Sequence, residues 1–176
     1  MDRISAALRS LLVAAIALAM AACTNPSEPS RAGVPLAQTF ETPDALARAV
    51  LDALARRDVA ALRSMALSEA EFREYVWPEL PVSRPERNVP FDYAWGQMNQ
   101  RSEGSLGDTV GRYGGRPLRF VSTRFTGDTT TYQTFSVMRA SEIVATDEGG
   151  KDLVLRLYGS ALQKDGRYKL YSFVVD

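Results

Sequence analysis

"DALARAVLDALARRDVAAL", Asp44–Leu62, decides the reading of the fold, because its apolar residues recur at helical spacing and then meet a stop. Leu46, Val50 and Leu54 share one face, with Ala49 and Ala53 beside them. Immediately upstream, Thr42 suits the cap, Pro43 the first helical position and Asp44 the positive end of the dipole. "ARRD" (Ala55–Asp58) closes the segment with basic residues at its negative end, and Asp58 can cap a second short helix that turns Val59, Leu62 and Met65 inward.

Ser68–Glu71 carries a capping-box pattern, predicting a third helix with Phe72, Tyr75 and Val76 on its apolar side. Pro78 stops it. The stretch Pro78–Pro90 holds four prolines in 13 residues and predicts an extended loop. A fourth helix is expected from Phe91, with Phe91, Trp95, Met98, Leu106, Val110 and Tyr113 near one stripe. Gly104 and Gly107 predict a break near Glu103.

After "YGGRP" (Tyr113–Pro117) the period changes from helical to short β-rich runs. Strands are expected at Leu118–Phe125, at Thr130–Thr146 as one long strand or a bent pair, at Asp152–Gln163 with Gly159 a bulge or bend, and at Tyr168–Val175. Asp165-Gly166 is a hairpin signal. Helices followed by an antiparallel meander define an α+β domain, here helices on a sheet of about four strands over residues 42–176.

Element order, the opening Asp44–Leu62 and the terminal hairpin "YGSALQKDGRYKLYSFVV" (Tyr158–Val175) together resemble the NTF2-like, or cystatin-like, α+β family. The resemblance implies a curved sheet forming a cone with helices in its concavity. That family contains enzymes, binding modules and scaffolds, so it implies no single function. Many members have strands between the helices where this chain has its proline-rich loop.

Residues 1–22 read as a signal peptide: Arg3 and Arg9 make a positive start, and Leu11–Ala22 is an apolar run of 12 residues, short of the roughly 20 a spanning helix needs. Ala19–Ala21 would satisfy ordinary cleavage. The only cysteine follows at residue 23, and "MAAC" (Met20–Cys23) resembles the lipobox of bacterial lipoproteins, with Met where the family usually has Leu. The resemblance implies cleavage before Cys23, a diacylglyceryl thioether on its sulfur and acylation of its amine. The absence of aspartate after Cys23 leans toward the outer membrane, with the domain facing the periplasm. Residues 23–41 then form a lipidated, Pro- and Ser-rich tether, with ends about 20–25 Å apart as a flexible coil.

The chain has 176 residues with 21 basic and 21 acidic side chains; without residues 1–22 the balance is 19 to 20. No basic excess favours a nucleic acid, and the lipid on Cys23 is expected to make the membrane contact. The chain contains no histidine, which removes Ser-His-Asp and Cys-His arrangements and histidine metal ligands. No cofactor motif is present and no metal site is expected. By elimination, Glu103, Asp108 and Glu142 are the carboxylates available to an enzyme of the cone type, though each reads more simply as a surface group.

Aromatic residues flank the proline loop: Tyr75 and Trp77 before it, Phe91, Tyr93 and Trp95 after it. They read either as the mouth of an apolar pocket or, preferably, as a loop anchor and core. Arg124, Arg139 and Arg156 fall on successive predicted strands; they read preferably as a solvated convex face, and would bind an anion if they met on the concave side. Tyr75, Trp77, Tyr93, Trp95, Arg139 and Arg156 are therefore the candidate ligand-pocket residues. The expectation is a lipid-anchored envelope protein with a non-catalytic ligand-binding or protein-interaction domain, its partner an envelope protein or a small apolar ligand. The alternatives are an isomerase- or cyclase-type enzyme working through a carboxylate, and an envelope-assembly accessory protein. Homodimerisation through the open sheet face is the expected mode if the domain self-associates.

Overall fold

A computed structural model describes residues 34–175; the signal segment, Cys23 and the first part of the tether lie outside the described residues. Local capping fixes the first three helices. In α1 (Pro43–Ala55) the Thr42 hydroxyl accepts the Ala45 N–H at 3.1 Å, and Pro43 opens the helix. In α2 (Val59–Met65) the Asp58 carboxylate accepts the Ala61 N–H at 2.9 Å. In α3 (Glu69–Glu71) the capping box is complete: Ser68 Oγ accepts the Glu71 N–H at 3.2 Å, and Glu71 Oε2 accepts the Ser68 N–H at 2.8 Å. The chain continues through a π-type turn, Phe72–Val76, that buries Phe72 and Val76.

Two expectations need correction here. The proline stretch is not extended but a series of 3-10 turns, Trp77–Glu79, Pro81–Ser83 and Pro85–Arg87, each with proline in its first two positions. Proline's fixed φ suits the start of a turn as well as it suits extended chain. Glu79 ties this stretch to the sheet, accepting the Thr134 N–H at 3.1 Å.

The fourth helix, α4 (Phe91–Tyr113), does not break near Glu103. Tertiary contacts outweigh the glycine cost. Ser102 Oγ accepts the Phe173 N–H at 3.0 Å, Glu103 takes both ends of the Arg63 guanidinium at 2.7 Å, and Leu106 and Thr109 are buried. A Cβ at Gly104 or Gly107 would meet nothing within 4 Å. Gly104→Ala and Gly107→Ala are each expected to stabilise the domain by about 0.8–1 kcal/mol, measured by urea unfolding. A destabilisation would mean that this face of α4 is covered.

The chain is α+β: helices packed on two antiparallel sheets. The three-stranded sheet has the order β1 (Arg119–Phe125), β4 (Ser141–Thr146), β5 (Asp152–Leu155). The four-stranded sheet has the order β2 (Thr129–Thr131), β3 (Ser136–Arg139), β6 (Ser160–Lys164), β7 (Arg167–Ser172). The four predicted runs thus become seven strands, because two of them break. Thr130–Thr146 splits twice, at the turn closed by Tyr132 N–H on Phe135 O and at Ala140, which takes a left-handed φ of 54°, and Asp152–Gln163 splits once, around Gly159. The breaks at Ala140 and Gly159 fall on one line: Gly127 N–H donates to Arg139 O at 3.2 Å, Ser141 N–H to Gly159 O at 3.1 Å, and Gly159 N–H to Ser172 O at 3.3 Å. Along this line the chain passes from one sheet to the other.

Two apolar clusters result. The larger packs Leu46, Val50 and Leu54 of α1 and Leu106 of α4 against Ile143, Leu155, Tyr158, Ala161, Leu170 and Phe173. Tyr158 fills its middle, with its hydroxyl unpaired among the described residues, and burial pushes that phenol well above its usual pKa. The smaller cluster gathers Leu67, Phe72, Val76, Phe135, Val137 and Leu162 under the proline turns.

The expected tether is also shorter than residues 23–41. Within the described residues, Phe40 pairs with Tyr168 through two backbone bonds of 2.8 Å, and Arg167 Nη2 donates to Thr39 O at 3.0 Å. Ala37 N–H donates to Glu71 Oε1 at 2.7 Å, and Lys169 Nζ donates to Ala37 O. Residues 34–41 are therefore a strap bound to the domain.

Candidate functional site

The structure distributes the six expected pocket residues over separate places. Trp77 meets Phe91 edge-on, with ring centroids 5.5 Å apart, and Trp95 lies 5.4 Å from Phe72. Both tryptophans pack against the smaller apolar cluster, as does Tyr75, whose hydroxyl donates to Val34 O. These three anchor the proline turns and do not form a common mouth. Arg156 lines one cleft, whereas Tyr93 and Arg139 line another. Cys23 lies outside the described residues.

The first cleft, about 590 Å³, runs between the second half of α4 and the three-stranded sheet. Two of its four charged side chains, Glu142 and Arg156, are spent on each other, with Arg124 as a further partner of Glu142. Arg124 and Glu142 stand opposite in the β1–β4 register; Arg124 Nε donates to Glu142 Oε2 at 2.9 Å, and Arg156 Nη2 to Glu142 Oε1 at 3.1 Å. These hydrogen bonds, Arg124's first, hold the Glu142 carboxyl below its usual value. The bidentate Arg63 contact likewise lowers Glu103. Asp108 is exposed on α4 at the rim. Arg124, Arg139 and Arg156 do not meet: two of them share a carboxylate and the third lines the other cleft.

Because the folded value of Glu142 lies below the ordinary 4.5, its ionised form adds stability above that value and loses it as pH falls through the folded value. Glu142→Gln is expected to lower stability at about pH 7 and to converge on wild type as pH falls through the folded value of Glu142. Paired urea titrations test this, and a difference that persists in acid would refute the arginine clamp.

The second cleft, about 370 Å³, lies between the first half of α4 and the line where the sheet breaks. Strand register builds its floor. Arg139 of β3 stands opposite Ser160 of β6, and Ser160 opposite Ser172 of β7, so the three occupy one row on one face. Between the Ser160–Ser172 and Ala161–Leu170 pairs, β7 carries one extra residue, Tyr171. Such a bulge re-aims the side chain it carries, and Tyr171 lines the cleft while its ring meets Phe72 at 6.4 Å. Burial first, and Tyr132 second, push its phenol up to about 12 against the opposing effect of Arg139. The group is therefore a neutral hydroxyl, able to donate, at any physiological pH.

The wall is α4. Tyr93, Gln97 and Arg101 recur at helical spacing and line the cleft with Met98. Among the described residues, neither Arg101 nor Arg139 is paired with a carboxylate. No acidic side chain among the described residues lines the cleft. It is a surface of two unspent guanidinium groups, hydroxyl and amide donors, and an exposed aromatic, Tyr93.

Sequence reasoning found Tyr93 and Arg139 but not Arg101, Gln97 or Tyr171. The helical spacing of 93, 97 and 101 was the signal available for the first two; the bulge that presents Tyr171 has no local signature. No three metal-ligating side chains gather among the described residues. No protein-family model matches the chain, and no match is found among curated proteins or solved structures.

Proposed function

We propose that the chain is a lipid-anchored envelope protein whose domain works by binding and not by catalysis. The observation that carries the second half is the state of the carboxylates. An isomerase or cyclase base needs a carboxyl with raised proton affinity in a closed site. Glu142 and Glu103 are instead clamped by arginines and held ionised. The space between α1 and the sheet is occupied by Leu46, Val50, Tyr158 and Leu170, which supports a filled cone in the sense of the NTF2-like resemblance. The second cleft, by contrast, presents unspent donors to solvent, as a binding surface does.

The first half rests on Cys23 after an apolar leader. Two or more acyl chains hold a protein at a bilayer, while a single chain holds only weakly.

Metabolic labelling with palmitate tests the anchor: wild type is expected to take up label and Cys23→Ser to take up none and leave the membrane fraction. Unlabelled wild type overturns the anchored reading. Loss of the chain's cellular role in Glu142→Gln, with its fold and abundance unchanged, overturns the non-catalytic one.

A further inference from the structure

We propose that the cleft between α4 and the β3–β6–β7 row binds a small organic anion, a carboxylate or phosphate ester carrying an apolar group, through Arg101 and Arg139. The inference rests on the binding reading above and deepens it by naming the ligand class. Two independent elements converge on the site: α4 brings Arg101, and the end of β3 brings Arg139, immediately before the left-handed Ala140. Each guanidinium is a fork of donors suited to a carboxylate or phosphate. In the first cleft, by contrast, Arg156 is neutralised together with Arg124 by Glu142. Here neither Arg101 nor Arg139 has a carboxylate partner among the described residues, and the lining holds none. An anion entering the cleft meets two uncompensated positive charges, with the Ser160 and Tyr171 hydroxyls and the Gln97 amide as further donors.

Tyr93 supplies the rest of the specificity. It is 63 % exposed at the rim of the cleft, a large aromatic surface left in water beside two cations. An apolar group attached to the anion would cover that ring, so an ester or aryl acid should bind better than the bare ion. A cation meets two like charges there.

The test is titration calorimetry on the detergent-solubilised full chain with phenyl phosphate, benzoate, inorganic phosphate and phenyltrimethylammonium. Phenyl phosphate or benzoate is expected to bind saturably and more tightly than inorganic phosphate, and phenyltrimethylammonium not at all. Arg101→Gln and Arg139→Gln, both at exposed positions, are each expected to weaken binding at least tenfold. Tyr93→Ala should bring the ester down to the affinity of inorganic phosphate, and Arg112→Gln in the other cleft should leave it unchanged. Vesicles of phosphatidic acid, compared with phosphatidylcholine, separate a lipid headgroup from a soluble anion as the source: displacement of phenyl phosphate by the former alone supports a headgroup, and absence of displacement supports a soluble ligand. No saturable binding of any anion overturns the proposal, as does binding that survives both arginine substitutions or falls equally with Arg112→Gln. A palmitate-labelled chain that binds no anion overturns this inference alone, while an unlabelled chain that binds phenyl phosphate overturns only the anchored reading.

Discussion

Lys169→Met is expected to cost about 3–5 kcal/mol of folding stability, the range for removing one partner of a buried ion pair. Lys169 and Glu71 are 1 % and 2 % exposed, and Lys169 Nζ lies 3.4 Å from Glu71 Oε1. The ammonium also donates to Ala37 O and, at 3.4 Å, to Ser64 O. One cation thus joins the strap, the last turn of α2 and α3 to strand β7. Burial lowers the pKa of this ammonium, and Glu71 offsets the effect in part. Once the cation is removed, Glu71 keeps its bonds from Ala37 N–H, Ser68 N–H and Ser68 Oγ but stands buried with a net charge and no counterion. Urea unfolding should show a lower midpoint with an unchanged slope, and amide exchange at Ala37 and Phe40 should accelerate as the strap loosens. The double variant Glu71→Gln, Lys169→Met should recover part of the loss, because neither charge is then left alone. A loss below about 1 kcal/mol in the single variant would mean that the pair is solvated and that the strap is held by the Phe40–Tyr168 pairing and the Arg167 bonds to Thr39.

That pair marks the limit of what the sequence discloses. The local half of Glu71's role is written in four consecutive residues, Ser68–Glu71, and was legible as a capping box. The other half depends on a lysine in the last strand, which becomes a neighbour only after folding. The same division runs through the molecule. The caps at Thr42 and Asp58 are readable because each hydrogen bond closes within three residues. The continuity of α4 is not, because it follows from distant contacts of Ser102 and Glu103 with Phe173 and Arg63. The cleft shows both behaviours. Arg139 is visible as a cation on a strand and Tyr93 as an aromatic at a helix start, but their meeting requires the Arg139–Ser160–Ser172 register and the Tyr171 bulge. Trp77 and Trp95 went to packing, the preferred reading of their sequence, since the proline turns need an apolar floor to lie on.

The line on which the strands break gives the second large effect. Gly159→Ala is expected to destabilise the domain by at least about 3 kcal/mol, at or beyond the upper end of ordinary overpacking. A Cβ at this position would lie 1.7 Å from Val174 O and 2.9 Å from Val174 C, both backbone atoms that no side-chain rotation can move. The segment after β7 would have to retreat, and it is held by Phe173 N–H on Ser102 Oγ and Val174 N–H on Ser172 Oγ. Gly159 itself is bound on both sides, its N–H to Ser172 O and its carbonyl to Ser141 N–H. The conflict is one of space, since Gly159 is not among the residues of left-handed φ. Ala140, one strand away, presents the opposite case: its φ of 54° strains an alanine. Ala140→Gly should therefore be neutral or gain up to about 1 kcal/mol, the relief of strain offset by the entropy glycine loses on folding. Unfolding measurements on the two variants separate the causes. If Gly159→Ala were tolerated, the chain after β7 would not rest against this bend, and the Ser160–Ser172 row beneath the anion cleft would lose the support that fixes its register. If Ala140→Gly were as damaging as Gly159→Ala, the break would depend on the alanine methyl and not on the left-handed turn of the backbone.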